Sequence, residues 1–167
     1  AAVTRGSRDA VVYAAPETMA PDAKPQVGND VYGLAMVLLL GFYGAPLPYW
    51  VMRDANRLVD ELTLPSTLDQ TLRACLDWSP DARPSSVDAI THAMLADAAL
   101  AVRLADDALE AKQLATVERI VSSLEANSQA PADVSRLRMA IARVRASEGD
   151  PETAVATLSE LARTASD

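Results

Sequence analysis

The sequence predicts a mainly α-helical protein, and two observations support that prediction. Hydrophobic residues make up 50% of the 167 residues but aromatic residues only 4%, so small aliphatic side chains must fill the core. Such side chains let helices pack closely against one another. Apolar residues also recur three or four positions apart along much of the chain, which is the spacing of one helix face.

The chain divides by composition near residue 95. Residues 1–95 contain most of the prolines and one long uncharged segment, whereas residues 96–167 alternate apolar and charged positions with frequent alanine. We therefore predict two domains, 1–95 and 96–167, with the second built from helical hairpins.

The uncharged segment lies between Asp30 and Arg53 and is long enough to be tested as a membrane span. Glycines and prolines from Gly41 onward interrupt its second half, which leaves a helix of about 30–43 that is too short to cross a bilayer. We predict a core helix that is apolar on all sides and begins at an N-cap provided by Asn29 or Asp30.

Three shorter helices are predicted after this segment. A marginal helix at 58–64 ends before Pro65, Ser66 caps the next helix, and Ser85 begins a third in a capping-box pattern. Their expected core residues are Leu68, Leu72, Cys75 and Leu76 in the second helix and Val87, Ile90 and Met94 in the third.

Four apolar stripes predict four helices in the second domain. They comprise Leu100 and Leu104; Val117, Ile120, Val121 and Leu124; Val134, Leu137, Ile141 and Val144; and Val155, Leu158 and Leu161. Between the last two, Gly149, Asp150 and Pro151 supply a helix stop, an N-cap and a first-turn proline.

Charge and composition exclude several classes of function. The net charge is −8 and basic residues are not clustered on the scale that a nucleic-acid surface needs, so we expect no nucleic-acid partner. Cys75 and His92 are the single residues of their types, so neither a disulfide nor a cysteine–histidine zinc cluster can form within the chain. We expect a cytoplasmic protein without a membrane segment.

Four segments of residues 1–95 carry short motifs in a distinctive order. Residues 13–17 read YAAPE and resemble the Ala-Pro-Glu motif that ends the activation segment in the C-terminal lobe of protein kinases. Residues 30–38 read DVYGLAMVL and resemble the start of the central helix, and 44–50 read GAPLPYW and resemble the loop that follows it. Residues 75–85 read CLDWSPDARPS and resemble a late signature of bacterial serine/threonine kinases.

This resemblance covers about residues 1–95 and implies a partial kinase-like C-lobe. It implies that Glu17 and Arg83 form a buried ion pair, and that Tyr13 and Trp50 occupy structural positions of the family. It also implies that Asp30 accepts hydrogen bonds from a catalytic-loop backbone; the alternative for Asp30 is a plain helix cap.

The residues that perform phosphoryl transfer are missing from the chain. It has no glycine-rich phosphate loop with its lysine, no His-Arg-Asp and no Asp-Phe-Gly, so we expect no catalytic residue, no metal site and no ATP or Mg²⁺ bound by this chain alone. Ala10, Ala35 and Ser79 also depart from the usual family residues, which is compatible with a pseudokinase parent. Thr4 and Ser7 lie where activation loops are phosphorylated, or else in an ordinary polar loop.

The second domain resembles tetratricopeptide-type helical hairpins, with Val117, Val121 and Leu124 recurring 37 residues later. One of its helices is basic in this acidic chain. We interpret that face either as a binding surface for an acidic or phosphorylated peptide or as a solvated face. The basic residues concerned are Arg136, Arg138, Arg143 and Arg145.

We expect a non-catalytic protein-interaction module. A helix at 30–43 that is apolar all round and lacks its family neighbours leaves an exposed patch that needs a partner. The patch comprises Leu34, Val37, Leu38 and Phe42. The partner is another protein, a second copy, or the missing part of a kinase; in the last case the alternative function is that of a fragment of an active serine/threonine kinase. A third hypothesis, a helical-repeat scaffold alone, predicts neither a Glu17–Arg83 contact nor packing by Trp50.

Overall fold

The computed structural model describes residues 8–164, so Thr4 and Ser7 lie outside the described residues. Within this range the protein is mainly α-helical, with eight α-helices, four short 3₁₀ helices and no strand. The α-helices are α1 Val27–Tyr43, α2 Ala55–Glu61, α3 Ser66–Cys75, α4 Asp88–Ala96, α5 Ala98–Glu110, α6 Leu114–Ala126, α7 Pro131–Ser147 and α8 Pro151–Thr164. The 3₁₀ helices are Arg8–Tyr13, Pro16–Met19, Tyr49–Met52 and Pro80–Ala82.

The chain forms two compact units, the first ending at Met94 and the second beginning at Leu95. The first unit contains the 3₁₀ helices and α1 to α3, and the second contains α5 to α8. Among the described helices, none combines the length and the apolar content that crossing a membrane requires.

Helix α1 begins at Val27, one turn earlier than predicted, and Gln26 occupies the N-cap position. The prediction of an N-cap at Asn29 or Asp30 was therefore wrong. The reason is tertiary: the Gly28 carbonyl accepts a hydrogen bond from the distant Arg83, which stabilises this additional turn. At the other end, Gly44 adopts φ 73° and its N–H donates to the Leu40 carbonyl, as in a glycine C-cap.

One side of α1 packs against the 3₁₀ helices Arg8–Tyr13 and Pro80–Ala82 and against α3. Its fully buried residues are Val31, Tyr32, Ala35, Met36 and Leu39. Because these residues occupy one side, the described residues do not surround α1, and they leave its opposite side exposed.

The shorter helices follow the apolar pattern but not all of the predicted caps. Helix α2 begins at Ala55, three residues before the prediction, because the Asp54 carboxylate accepts a 3.1 Å hydrogen bond from the Arg57 N–H. Pro65, and not Ser66, is the N-cap of α3. The apolar face of α3 was predicted correctly: Leu68, Leu72, Cys75 and Leu76 are all buried.

Helix α4 begins at Asp88. Its first turn is stabilised by hydrogen bonds to the Ser86 side chain, whereas the sequence predicted that Ser85 would have this role. The Ser86 hydroxyl accepts from the Asp88 N–H at 3.1 Å and donates to the Asp88 carboxylate at 2.7 Å. Val87 precedes the helix and is exposed, whereas Ile90 is buried as expected.

In the second unit, α5 packs on α6, α6 on α7 and α7 on α8. The predicted stripes on α6 and α7 form its core, with Val144 half-buried. On α5 the buried residues are Ala101, Ala105 and Ala108, while Leu100 and Leu104 are half-buried. Alanine brings two helix backbones closer together than leucine does, so the alanine stripe becomes the α5 contact.

The connection before α8 agrees with its sequence pattern. Gly149 has φ 92°, the Asp150 carboxylate accepts from the Thr153 N–H at 3.2 Å, and Pro151 is the first helical residue. The predicted stripe of α8 was wrong at two positions, however, because Val155 and Leu158 are exposed. Leu161 is half-buried, and among the described side chains of α8 Ala154 is buried.

Two glycines of α1 provide a test of its C-terminal end. A methyl group at either Gly41 or Gly44 would meet no atom within 4 Å. The effects of alanine at the two positions should therefore differ only because their backbone conformations differ. We expect Gly44→Ala to lower the free energy of unfolding by about 1 kcal/mol, because φ 73° disfavours a Cβ atom. We expect Gly41→Ala, in the helix interior, to raise it by about 0.5–1 kcal/mol. Urea unfolding followed by circular dichroism measures both, and shifts of the same sign would contradict the assigned helix end.

Candidate functional site

The most constrained side chain of the first unit is Arg83, whose side chain is 0% exposed. Its Nη1 donates to Glu17 Oε1 at 2.7 Å, and its Nη2 donates to Glu17 Oε2 at 2.9 Å. This is a bidentate guanidinium–carboxylate pair, the strongest common geometry for opposite charges. The structure thus brings together the two residues that the family resemblance pairs.

The other donors of the Arg83 guanidinium are also used. Nε donates to the Asp77 carbonyl at 2.7 Å, Nη1 also donates to the Gly28 carbonyl at 2.9 Å, and Nη2 also reaches the Trp78 carbonyl at 3.5 Å. The Tyr32 ring lies 4.8 Å from the guanidinium carbon, within the range of a cation–π contact. All five N–H donors therefore have acceptors, which is the condition under which a buried charge is tolerated.

Local structure places both partners of this pair. Glu17 lies in the 3₁₀ helix Pro16–Met19, where the Thr18 hydroxyl donates to the Ala15 carbonyl at 2.6 Å. The chain approaches Arg83 closely at Gly28, where a Cβ atom would lie 3.2 Å from the Pro80 carbonyl oxygen. A glycine at 28 lets the N-terminus of α1 pack directly on the turn that carries Arg83.

The electrostatics of this region follow from burial and from the pair. The hydrogen bonds from Arg83 hold the pKa of the Glu17 carboxyl below its ordinary value. Desolvation raises the pKa of the neighbouring Cys75 thiol to about 11, so this cysteine is a neutral core residue at physiological pH. Its environment is the opposite of one that activates a nucleophile.

The open side of α1 is an apolar face, which we define as Val27, Leu34, Val37, Leu38 and Phe42. Val27 is 56% exposed, Val37 is 50% exposed and Leu34 is 37% exposed, while Leu38 and Phe42 are half-buried. Gly41 lies beside them and is exposed, so a partner backbone could approach α1 closely there.

Asp30 lies on the same side of α1, one turn before Leu34, and its side chain is exposed. As a first-turn carboxylate it interacts favourably with the helix dipole. The apolar face of α1 therefore carries an acidic group at its N-terminal end and no charged residue from there to Arg53.

The remaining residues of the family resemblance also pack in the first unit. The Tyr13 side chain is half-buried, and its carbonyl oxygen lies 3.5 Å from where a Cβ on Gly33 would be. Trp50 is half-buried with the Arg57 guanidinium 4.7 Å from its ring centroid. Sequence reasoning missed Trp78, which is 64% exposed beside the Arg83 pair, and no pattern in the sequence distinguishes it from a buried tryptophan.

The arginines of α7 are largely engaged within the second unit. Arg136 pairs with Asp106 of α5 at 2.7 Å, Arg138 with Glu125 of α6 at 2.7 Å, and Arg145 with Glu118 of α6. Arg143 is exposed. These pairs join α7 to its neighbours and use much of the positive charge that an acidic peptide would need.

The described residues include no group of three or more His, Cys, Asp or Glu side chains arranged to hold a metal ion. His92 is exposed on α4. In this part of the chain, the arrangement can therefore be described as a buried ion pair beside an exposed apolar helix face.

We expect Glu17→Gln to destabilise the first unit by about 3 kcal/mol, because it leaves the Arg83 charge buried without its counter-charge. Glu61→Gln is a matched control: Glu61 pairs with Arg57 at 3.6 Å, but both side chains are about half exposed or more. We expect that control to change the free energy of unfolding by less than about 0.5 kcal/mol. Equal effects of the two variants in denaturant unfolding would contradict the importance of the buried pair.

The lowered pKa of Glu17 also predicts a pH dependence. Its folded pKa lies below the ordinary value of 4.5, so the stability contributed by the pair is complete above that pH and is lost as the pH falls through the folded pKa. We expect the difference in stability between the unmodified chain and Glu17→Gln to shrink as the pH is lowered below 4.5. Unfolding measured at a series of acidic pH values checks this, and a constant difference would contradict it.

Comparison with known proteins gave no match: no family model fits the chain, and no curated protein or solved structure is significantly similar to it.

Proposed function

We propose that this chain is a non-catalytic protein-interaction module, in which the first unit corresponds to the C-terminal half of a kinase-like C-lobe. Its apolar face on α1 binds a polypeptide partner, and the second unit is a tetratricopeptide-like extension that offers further binding surface. The observation that carries the proposal is the exposure of Val27, Leu34 and Val37 on a helix whose opposite side is fully buried.

The Arg83 pair supports the kinase-like part of the proposal. A helical-repeat scaffold alone predicts no contact between Glu17 and Arg83, yet the two form a bidentate pair with a buried guanidinium. The half-buried Trp50 beneath Arg57 is a second contact that the scaffold hypothesis does not predict.

The face itself indicates the chemistry of the partner. A surface of Leu34, Val37 and Leu38 is covered favourably by another apolar surface. The exposed Asp30 carboxylate at one end suits backbone N–H groups or a lysine or arginine. We therefore propose a partner segment that is apolar along its length and has hydrogen-bond donors at the end that meets Asp30.

One candidate for this partner leads to the second candidate function. If the apolar face of α1 is covered by a kinase N-lobe and catalytic loop, the assembly is a serine/threonine kinase, and ATP and Mg²⁺ bind in that other portion. The exposed Asp30 favours this alternative, because the family uses an aspartate at the corresponding place to hold the catalytic-loop backbone.

The packing of the second unit supports the proposal that it is a tetratricopeptide-like extension. Helices α5 to α8 form consecutive packed neighbours, α5 to α7 share a core, and such hairpins gain stability by stacking. The setting we propose is the cytoplasm, where a lone buried thiol such as Cys75 remains reduced.

Val37→Asp tests the apolar face of α1. A charge on this face would have to be desolvated when a partner covers it. We therefore expect binding of the dye ANS to fall by more than half and any stoichiometric partner to be lost. Met139→Asp is the matched control, because Met139 is 41% exposed on α7 and lies outside this face. ANS fluorescence and native mass spectrometry, with a photo-crosslinker at position 37 to map the contact, give the readouts.

A chain that binds neither ANS nor a partner would contradict the proposal, as would partner loss in both variants. The two candidate functions separate when the chain is mixed with a bacterial serine/threonine kinase fragment that ends before its Ala-Pro-Glu motif. Mg²⁺-dependent ATP turnover that appears on mixing and is absent with Val37→Asp supports the kinase alternative. Binding without turnover supports the interaction module.

A further inference from the structure

Helix α8 leaves two of its larger apolar side chains exposed. Ala154 is 3% exposed, and Thr157 and Leu161 are half-buried, while Val155 is 62% exposed and Leu158 is 44% exposed. Val155 and Leu158 thus point away from α7, the helix on which α8 packs. This exposed stripe lies in the second unit and is independent of the apolar face of α1.

The stripe has a regular geometry. Val155, Leu158 and Ala162 follow one another at three and four residues, so they form one line along the helix, and Ser159 lies beside its centre. All four side chains are exposed. A small residue at the centre lets another helix approach closely.

Two opposite charges border the same stripe. Glu152 and Arg163 are eleven residues apart, which is about three turns, so both lie along one edge of the stripe roughly 16 Å from each other. Both are exposed, and neither has an ion-pair partner among the described side chains. The stripe therefore has an acidic N-terminal end and a basic C-terminal end.

We propose that α8 is a homodimer interface, on which α8 of a second copy packs antiparallel about a twofold axis between Leu158 and Ser159. This arrangement places Val155 opposite Ala162 of the other copy, and the twofold axis creates every contact twice. It also brings Glu152 of each copy within one helical turn of Arg163 of the other, on the same edge of the interface.

The order of the two charges along α8 favours a second copy of the chain as the binding partner. In an antiparallel pair each end of the stripe meets its opposite charge, whereas a parallel pair would place like charges at the same end of the interface. The antiparallel arrangement also aligns the two helix dipoles favourably. The contact is that of a single helix pair, so we expect a weak and concentration-dependent dimer.

Charge reversal tests the proposal in the full chain. In sedimentation equilibrium we expect Glu152→Arg and Arg163→Glu each to raise the dissociation constant by about tenfold or more, since both symmetric ion pairs become repulsive. The double variant restores opposite charges, and we expect its dissociation constant to return to within about threefold of the unmodified chain. Circular dichroism checks that α8 remains folded in each variant.

A second measurement does not depend on charge. Ser159 lies next to the twofold axis, so Ser159→Cys should form a disulfide-linked dimer under mild oxidation. Ser122→Cys is the matched control, because Ser122 is also an exposed helical serine, on α6. Cys75 is buried and does not compete for the reaction.

Three results would overturn the proposal. They are a monomer at every concentration, a dimer that is insensitive to both charge reversals, and equal crosslinking of Ser159→Cys and Ser122→Cys. A dimer that Val37→Asp abolishes while Val155→Asp leaves it intact would also overturn it, because self-association would then occur through α1.

Discussion

The first unit depends on the burial of a single positive charge. Moving a guanidinium out of water costs several kcal/mol, and the structure offsets this only because Arg83 finds an acceptor for every N–H group. Those acceptors belong to the segment of Glu17, the first turn of α1 at Gly28 and the loop before Pro80. Segments far apart in sequence are therefore positioned together, and disturbing one of them leaves the charge incompletely satisfied.

This constraint has a consequence for the rest of α1. Its N-terminus is held by the Gly28 carbonyl and its inner side is fully buried, so the helix is well positioned while its outer side stays apolar and exposed. A surface on a well-packed helix loses little conformational entropy when a partner binds. The interaction proposed for the apolar face of α1 thus depends on the buried pair on the other side of the same helix.

The second unit is held together differently. Its helices meet through alanine and short aliphatic side chains, and ion pairs from the arginines of α7 connect that helix to α5 and α6 at the surface. Because these pairs use internal carboxylates, the basic helix loses much of the charge that would attract an acidic ligand. The apolar surface of α8, and not the arginines, is the more distinctive feature of this unit.

The sequence by itself determined the helical class, the faces of α3 and α6, and the connection at Gly149, Asp150 and Pro151. These follow from helical periodicity and from capping, which act over a few residues. Only the tertiary structure decided that α1 begins at Val27, that alanines form the contact of α5, and which side of α8 is exposed. The reason is that a helix with apolar residues on more than one side has no local preference for the side that is buried, so the neighbouring helices determine it. In α1, the hydrogen bond from the distant Arg83 determines where the helix begins.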